Sequence, residues 1–477
     1  MVNTHEFDVD VMIGLECHVQ LNKLNTKLFC PCSSDYQDDL PNTHTCPVCL
    51  GLPGALPVIN RKAVEYGIKV ALALNCTIQE ETLFYRKNYY YPDLPRGFQI
   101  SQYDFPLSTG GVIYLDGDVE REIRINRVHM EEDPGRLVHR GAIEQAQYTM
   151  VDYNRSGMPL LEIVTEPDLK SPQEARQFLN KIRNILEYLD VFDGDLDGSL
   201  RVDANLSIEG GQRAEVKNIS SYKGAEKALL FEIMRQKNVL RRGKKVVQET
   251  RHFDEARGIT ISMRTKEEEH DYRYFPEPDL VVMRVGDWVK EIEKSLPELP
   301  DAKRDRFLRE YEVSQTHAKV LTSDIHLANF FEEITGKIDP AFCTTWIADI
   351  LKGELNYRGI GLDRITQPDF IDLMKLLESD EITDHGAIEV IRTILDNGGD
   401  VRGIVQEKGL LKAKIDETEI AVNAVIEEFK GAVSDYQSGK REALNFLVGQ
   451  VMRKTRGRSD PDHANKLLLE QIGKLGD

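Results

Sequence analysis

Near residue 295 the chain changes its hydrophobic rhythm, and that change decides what it can fold into. Before it, alternating runs such as Glu122–Arg127 (EIRINR) and Ser199–Ile208 (SLRVDANLSI) sit between Gly, Pro, Asn and Asp turns, the pattern of half-buried strands. After the proline-flanked hinge Leu296–Asp301 (LPELPD), strand signals largely disappear and amphipathic helical spacing continues to the end. The expected fold class is therefore α+β: a sheet-rich body over 1–295, a helical domain over 296–409 and a small helical tail over 410–477. Two helices are expected to interrupt the body. One covers Lys62–Leu74; the other opens at Ser171, which suits an N-cap, with Pro172 at the first helical position and Glu174 completing a capping box.

At 477 residues the chain has room for about three domains. Its 41% hydrophobic and 30% charged residues are those of a globular protein. A net charge of −19 excludes a surface that coats nucleic acid uniformly, while leaving room for a local basic patch. No apolar run reaches the roughly 18 residues of a membrane span. The opening MVNTHEFDVD has neither the basic nor the apolar segment of a signal peptide, so a cytoplasmic, reducing setting is expected.

Seven cysteines suit that setting, because four of them crowd into Cys30-x-Cys32-x13-Cys46-x2-Cys49 while Cys17, Cys76 and Cys343 stand alone. Two short thiolate knuckles stiffened by Pro31 and Pro47 suit tetrahedral zinc; four thiolates leave no open coordination position, so the metal would be structural. The alternative is a set of free buried cysteines.

Acidic residues recur in the strand-like segments. In VMIGLECHVQL, Glu16 and His18 lie two apart and share a strand face, with Cys17 and Val19 on the other. RVHMEEDPG carries Glu131 and Glu132 before an Asp-Pro-Gly turn, and PLLEIV holds Glu162 as its one charge. In SLRVDANLSI, Arg201, Asp203, Asn205 and Ser207 line the polar face. Singly, each segment reads as an exposed strand face. Together, five carboxylates and a histidine suggest Mg²⁺ with nucleotide phosphates completing its shell.

Two segments mix cations with aromatics: Arg86–Arg96 (RKNYYYPDLPR) and Asp271–Pro278 (DYRYFPEP). Each either clamps a nucleotide or an RNA end through Arg86, Lys87 and Arg273, or simply packs on the core. Neither a P-loop nor a dinucleotide-binding glycine motif is present, and Ser220-Ser221 lacks the glycine-rich setting of an amidase nucleophile.

The segments IGLECHVQL, RKNYYYPDLPRGFQISQYD, HMEEDPG, PLLEIVTEPDL, GSLRVDANLSI and DYRYFPEPDL resemble, in this order, the signatures of the GatB family, the B-type subunits of aspartyl/glutamyl-tRNA amidotransferases. The likeness continues to FLVGQVMRK near the C-terminus. The related archaeal E-type subunits have an extra inserted domain, for which this chain shows no room.

The resemblance implies an ATP-dependent carbon–nitrogen ligase of protein biosynthesis. Mischarged Glu-tRNA(Gln), Asp-tRNA(Asn) or both would be phosphorylated on the side-chain carboxylate and then amidated with ammonia from glutamine. A separate glutaminase (amidase) subunit would supply the ammonia, and a small third subunit would wrap the interface in a heterotrimer. The body would resemble the antiparallel catalytic sheet of glutamine synthetase and the guanido kinases. Glu16, His18, Glu131, Glu132, Glu162 and Asp203 would supply the Mg²⁺ and phosphoryl-transfer site, and Lys87 would touch phosphate or line the ammonia exit. Adjacent Glu131 and Glu132 would both approach the metals if the strand ended or bulged there. The four cysteines match the zinc-bearing branch.

Residues 430–477 carry nine Lys or Arg against six Asp or Glu, a net +3 that leaves −22 on the rest. Leu444, Leu447, Val448 and Val451 form one helical stripe, leaving Lys440, Arg441, Arg453, Lys454, Arg456 and Arg458 for an RNA backbone. Two rival readings are a noncatalytic zinc-stapled RNA-binding scaffold and a metal-dependent hydrolase acting without ATP.

Overall fold

A computed structural model describes residues 9–116, 120–138, 148–196, 198–264, 272–413 and 415–474. Asp271 of the second aromatic segment and most of the opening decapeptide lie outside the described residues. The chain divides into two compact units, Met1–Pro300 and Asp301–Asp477.

In chain order the strands of the first unit are β1 (Val11–Gln20), β2 (Thr77–Ile78), β3 (Glu81–Thr82), β4 (Phe84–Asn88), β5 (Phe98–Gln102), β6 (Ser108–Leu115), β7 (Arg121–Glu132) and β8 (Arg136–Val138). They continue with β9 (Met150–Asp152), β10 (Pro159–Thr165), β11 (Leu200–Ile208), β12 (Ala214–Ile219), β13 (Glu249–Asp254), β14 (Ile259–Arg264), β15 (Phe275–Pro276) and β16 (Met283–Arg284). Nine of them form one sheet in the order β14-β13-β12-β11-β1-β10-β7-β6-β2, while β15-β4-β5 form a smaller one. The layout is mixed sheet followed by helices, an α+β arrangement.

The large sheet is not wholly antiparallel. β12 and β13 run parallel, because helix α3 (Tyr222–Arg241) forms a crossover between them, the connection a parallel pair requires. Sequence reading expected only two helices in the body up to residue 295, namely α1 (Arg61–Ala73) and α2 (Pro172–Tyr188), and missed both α3 and α4 (Gly286–Lys294). The N-cap of α3 is Ser221, whose hydroxyl accepts from the Gly224 N–H and donates to Glu255, so the Ser220-Ser221 pair opens a helix. At α2, Ser171 caps the Glu174 N–H as expected, but the Glu174 carboxylate accepts from Lys170 N–H, one residue ahead of a standard capping box.

One face of the large sheet is dry. Leu15, Cys17, Leu161, Ile163, Val128, Met130, Val202 and Ala204 pack against Val64 and Ile68 of α1, Phe178 and Ile182 of α2, and Ala228 and Ile233 of α3. Alternation then delivers the residues between them to the opposite face. Strand β7 serves both faces with one irregularity. Its pairing with β10 slips between Val164 and Thr165, opposite Arg127 and Ile125, so Ile123 and Ile125 join the same core as Val128 and Met130.

The second unit is helical from Asp301 onward. Four helices, Ile415–Glu428, Lys430–Gln437, Glu442–Lys454 and Pro461–Lys474, enclose a small core of their own. It includes Val422, Val425, Val433, Leu447, Val451 and Leu468. The stripe expected from sequence points there, with Leu447 and Val451 buried and Leu444 and Val448 at its edge.

Candidate active site

The open face of the large sheet collects charge in rows. His18 on β1 stands opposite Glu162 on β10, which stands opposite His129 on β7. Glu16 stands opposite Asp203 on β11, and Asn205 opposite Glu215 on β12. The Glu162 Oε2 lies 3.5 Å from His18 Nε2 and 3.2 Å from His129 Nε2. Asn205 Nδ2 donates to Glu16 Oε1 at 2.8 Å. Lys217 Nζ lies 3.2 Å from Glu215 and 3.4 Å from Asp203. These side chains border a cavity of about 1080 Å³.

Among the described residues, two sets of three donors on this face are close enough to share an ion. In His18, Glu131 and Glu162, and again in Glu16, Asp203 and Glu215, the ligand atoms lie within 4.8 Å of one another. Carboxylates with at most one imidazole form a hard donor set, the kind that suits Mg²⁺. The electrostatics fit a cation as well. Burial and the charges of Glu162 and Asp203 push the Glu16 carboxyl up from its ordinary value. Burial opposes charge on His18, but its hydrogen bond to Glu162 and the carboxylates of Glu162, Asp203 and Glu131 overcome that and push it up to about 9. Glu162 is held well below the usual carboxylate range despite burial, because His129 and His18 flank it. The second set brings three carboxylates together against the single ammonium of Lys217.

Lys87 projects from β4 into the same cavity. Removal from water opposes its charge, yet Glu131, Tyr274 and Glu162 raise its pKa well above the ordinary lysine value. Its Nζ lies 5.0 Å from the centre of the Tyr272 ring.

Three residues named from sequence do not join this cluster. Glu132 pairs in regular register with Pro159 at the last position of β7, so it faces away from Glu131. Its carboxylate accepts from the Ile100 N–H at 2.8 Å and forms an ion pair with Arg96. The expected bulge at Glu131–Glu132 is instead at Arg127 and Ile125. Arg86, next to Lys87 on an alternating strand, points away from the cavity and grips Glu277 through Nε (2.7 Å) and Nη2 (2.8 Å), with Asp279 at 3.2 Å. Arg273 is exposed, and its carbonyl accepts from Asn88 Nδ2 at 3.0 Å.

Sequence reading also missed three members. His129 stands two residues before Glu131 and shares its face, so the alternation rule that paired Glu16 with His18 would have found it. Glu215 and Lys217 alternate in AEVKNI, a six-residue strand after Gly210-Gly211 whose mixed charge hid its role.

The Sγ atoms of Cys30, Cys32, Cys46 and Cys49 also lie within 4.8 Å of one another. Cys46 N–H donates to Cys49 Sγ at 3.1 Å, and buried Lys27 places Nζ 3.8 Å from the same sulfur. A hydrogen bond from Cys30, with the Lys27 ammonium acting against burial, pulls the Cys49 thiol down to about 4. Four converging sulfurs are compatible with a structural zinc site. The tail cations occupy the second unit: Lys440, Arg441, Arg453, Lys454 and Arg456 are exposed, and Arg458 is half-buried beside Glu417.

Residues 11–291 match the GatB/GatE catalytic domain model, and residues 329–472 match the GatB domain model. The chain belongs to the GatB family. The B-type subunit of an aspartyl/glutamyl-tRNA(Asn/Gln) amidotransferase from Methanococcoides burtonii is 62% identical over 97% of this chain and 98% of its own length. Relatives of the same name from Methanospirillum hungatei and Haloquadratum walsbyi are 56% and 52% identical, each over 98% of this chain. In this member of the GatB family, the catalytic-domain match contains both three-donor groups and the four cysteines.

The two adjacent glutamates should separate in experiment. Glu132→Ala leaves the Arg96 guanidinium buried without its partner, which should cost about 3–5 kcal/mol of stability. Urea unfolding should show that loss, whereas Glu131→Gln, on the cavity side, should unfold close to wild type.

Proposed function

We propose that this chain binds mischarged Glu-tRNA(Gln), Asp-tRNA(Asn) or both, activates the side-chain carboxylate with ATP, and amidates it. The observation that carries the reading is the pair of three-donor groups side by side on one open sheet face, with Lys217 and Lys87 at its two flanks. A carboxylate is a poor acyl donor because oxide would have to leave; phosphorylation replaces oxide with phosphate as the leaving group. Such a transfer needs positioning and charge neutralisation more than covalent help from the protein.

His18, Glu131 and Glu162 in one group, and Glu16, Asp203 and Glu215 in the other, are the residues to hold Mg²⁺, which when bound neutralises the transferring phosphoryl oxygens. Lys217 is placed to meet phosphate beside the second group. Lys87 lies beside Glu131, where the activated carboxyl and ammonia would meet. The sheet forms one side of this cavity, and Lys87 of β4 and Gln102 of β5 line another; the ammonia step requires that bulk water be kept from the acyl phosphate there. In this reading the sheet works as the catalytic sheets of glutamine synthetase and the guanido kinases do.

The other assignments follow from the same reading. Cys30, Cys32, Cys46 and Cys49 hold a structural zinc. Residues 296–409 form a connecting helical domain, and 410–477 form a tail whose Lys440, Arg441, Arg453, Lys454, Arg456 and Arg458 hold the tRNA backbone. A glutaminase (amidase) subunit supplies ammonia, and a small third partner completes a cytoplasmic heterotrimer.

Reconstitution with the amidase and the small partner, followed by an assay of which mischarged tRNA gains an amide, tests the central claim. His18→Ala and Glu162→Gln should lower ATP-dependent amidation on the order of a hundredfold or more while glutamine hydrolysis and assembly persist. Undiminished amidation in both variants refutes the reading. Removing residues after Phe429 should weaken tRNA binding and flatten its salt dependence, with free-glutamine hydrolysis maintained. Elemental analysis should find one zinc per chain, lost in Cys46→Ser/Cys49→Ser.

A further inference from the structure

The cavity is larger than one small ligand requires, at about 1080 Å³ against the roughly 300–1,000 Å³ of ordinary ligand pockets. Its two ends differ in chemistry. Along the sheet, the polar residues lining it run from Glu215 and Lys217 on β12, through Asp203, Glu16, His18 and Glu162, to His129 on β7, with Glu131 buried beside His18 and Glu162. The β12 end is ionic. Beyond β7 stands a wall of tyrosines, Tyr103, Tyr272 and Tyr274, the only Phe, Tyr or Trp among the described residues that line the cavity.

That wall is built. The Tyr103 and Tyr274 rings are parallel to within 1°, with centroids 4.3 Å apart. Tyr85 meets Tyr103 edge-on at 6.1 Å, and Tyr272 meets Tyr274 at 6.0 Å, so each ring of the pair has a further aromatic neighbour. Asn88 Nδ2 holds the Arg273 carbonyl at 3.0 Å, and Arg273 itself is left-handed, at φ +45°. A residue with a side chain seldom adopts that conformation, and such strain persists where its surroundings impose it. Here its two neighbours, Tyr272 and Tyr274, both border the cavity.

We infer that the stacked pair Tyr103–Tyr274 is the seat of the terminal adenosine of the aminoacyl-tRNA. This rests on the function proposed above and adds to it which end of the cavity each substrate occupies. A planar aromatic wall takes a nucleobase by stacking, without demanding sequence. A triphosphate needs unspent cations. Lys87 at this end is engaged by Glu131, Glu162 and the Tyr272 ring, and Lys217 at the other is paired with Glu215 and Asp203, but the β12 end adds the exposed guanidinium of Arg213. The amino acid is esterified to the ribose of that same adenosine. A base on the wall therefore directs the side-chain carboxylate toward Glu131 and His18, with ATP entering from the β12 end.

The test uses the assembled enzyme with Glu-tRNA for kinetics and, for binding, with the uncharged tRNA and the same tRNA lacking its terminal adenosine, which differ by that nucleotide alone. Wild type should bind the truncated tRNA about 5- to 150-fold more weakly, the usual range for one stacked base. Tyr274→Ala should abolish that difference and raise KM for Glu-tRNA about tenfold, with KM for ATP within about twofold of wild type. Tyr274→Phe, which keeps the ring, should recover the dependence on the terminal adenosine. A rise in KM for ATP instead would assign the wall to the ATP base and overturn the inference, as would an alanine variant that still discriminates the truncated tRNA. Wild type that forms no ADP with Glu-tRNA refutes the function itself and is distinguishable from either result.

Discussion

Glu162 is a carboxylate in the middle of an otherwise apolar strand, nearly sealed from water, and much of the structure is arranged around its charge. An isolated carboxylate at that depth is too costly to remain ionised. The two strands beside β10 supply the remedy, His18 from β1 and His129 from β7, at the positions directly opposite in the ladder. Antiparallel pairing has a period of two, so fixing this row fixes its neighbours as far as the register shifts at Val164/Thr165 and Val202/Ala204. A slip by one residue on either side would bring Cys17 or Val128 opposite Glu162 and send the histidines into the core.

The same alternation divides the labour of the sheet. Residues on the dry face hold α1, α2 and α3, and their neighbours, one peptide away, carry the chemistry. Stability and reactivity thus share backbone but not volume. Charges can be crowded on the open face because the helix-covered face secures the fold. Asp133 anchors the far end of this arrangement. Fully buried, it takes hydrogen bonds from Gln20 on β1 and Arg201 on β11 just after Glu131 and Glu132 leave β7.

Much of this was legible in the sequence, for a physical reason. A half-buried strand writes its two faces as alternation, so the pairing of Glu16 with His18 and the polar row of SLRVDANLSI follow from spacing alone. The four cysteines were legible because sulfurs that converge on one point stand close together along the chain as well. What spacing cannot carry is pairing between distant strands. His129 and Glu215 become members of the site only through their neighbours in the sheet, and the parallel β12–β13 pair only through α3. Arg86 and Glu132 show the opposite failure: each has the right chemistry and a neighbour on the site's side of its strand, but the pleat turns it toward a different partner.

The slip in β7 has a consequence for how this chain can change over time. The bulge adds one residue, and with it Asn126 and Arg127 both border the cavity while Ile123, Ile125, Val128 and Met130 all stay in the core. Deleting either Asn126 or Arg127 would remove the extra residue, restore plain alternation and leave Val128, His129, Met130 and Glu131 on the faces they hold now. A deletion within either regular half has no such reserve and would exchange core and site residues beyond it. The bulge is thus the one place along this strand where a residue can be lost without turning the sheet inside out.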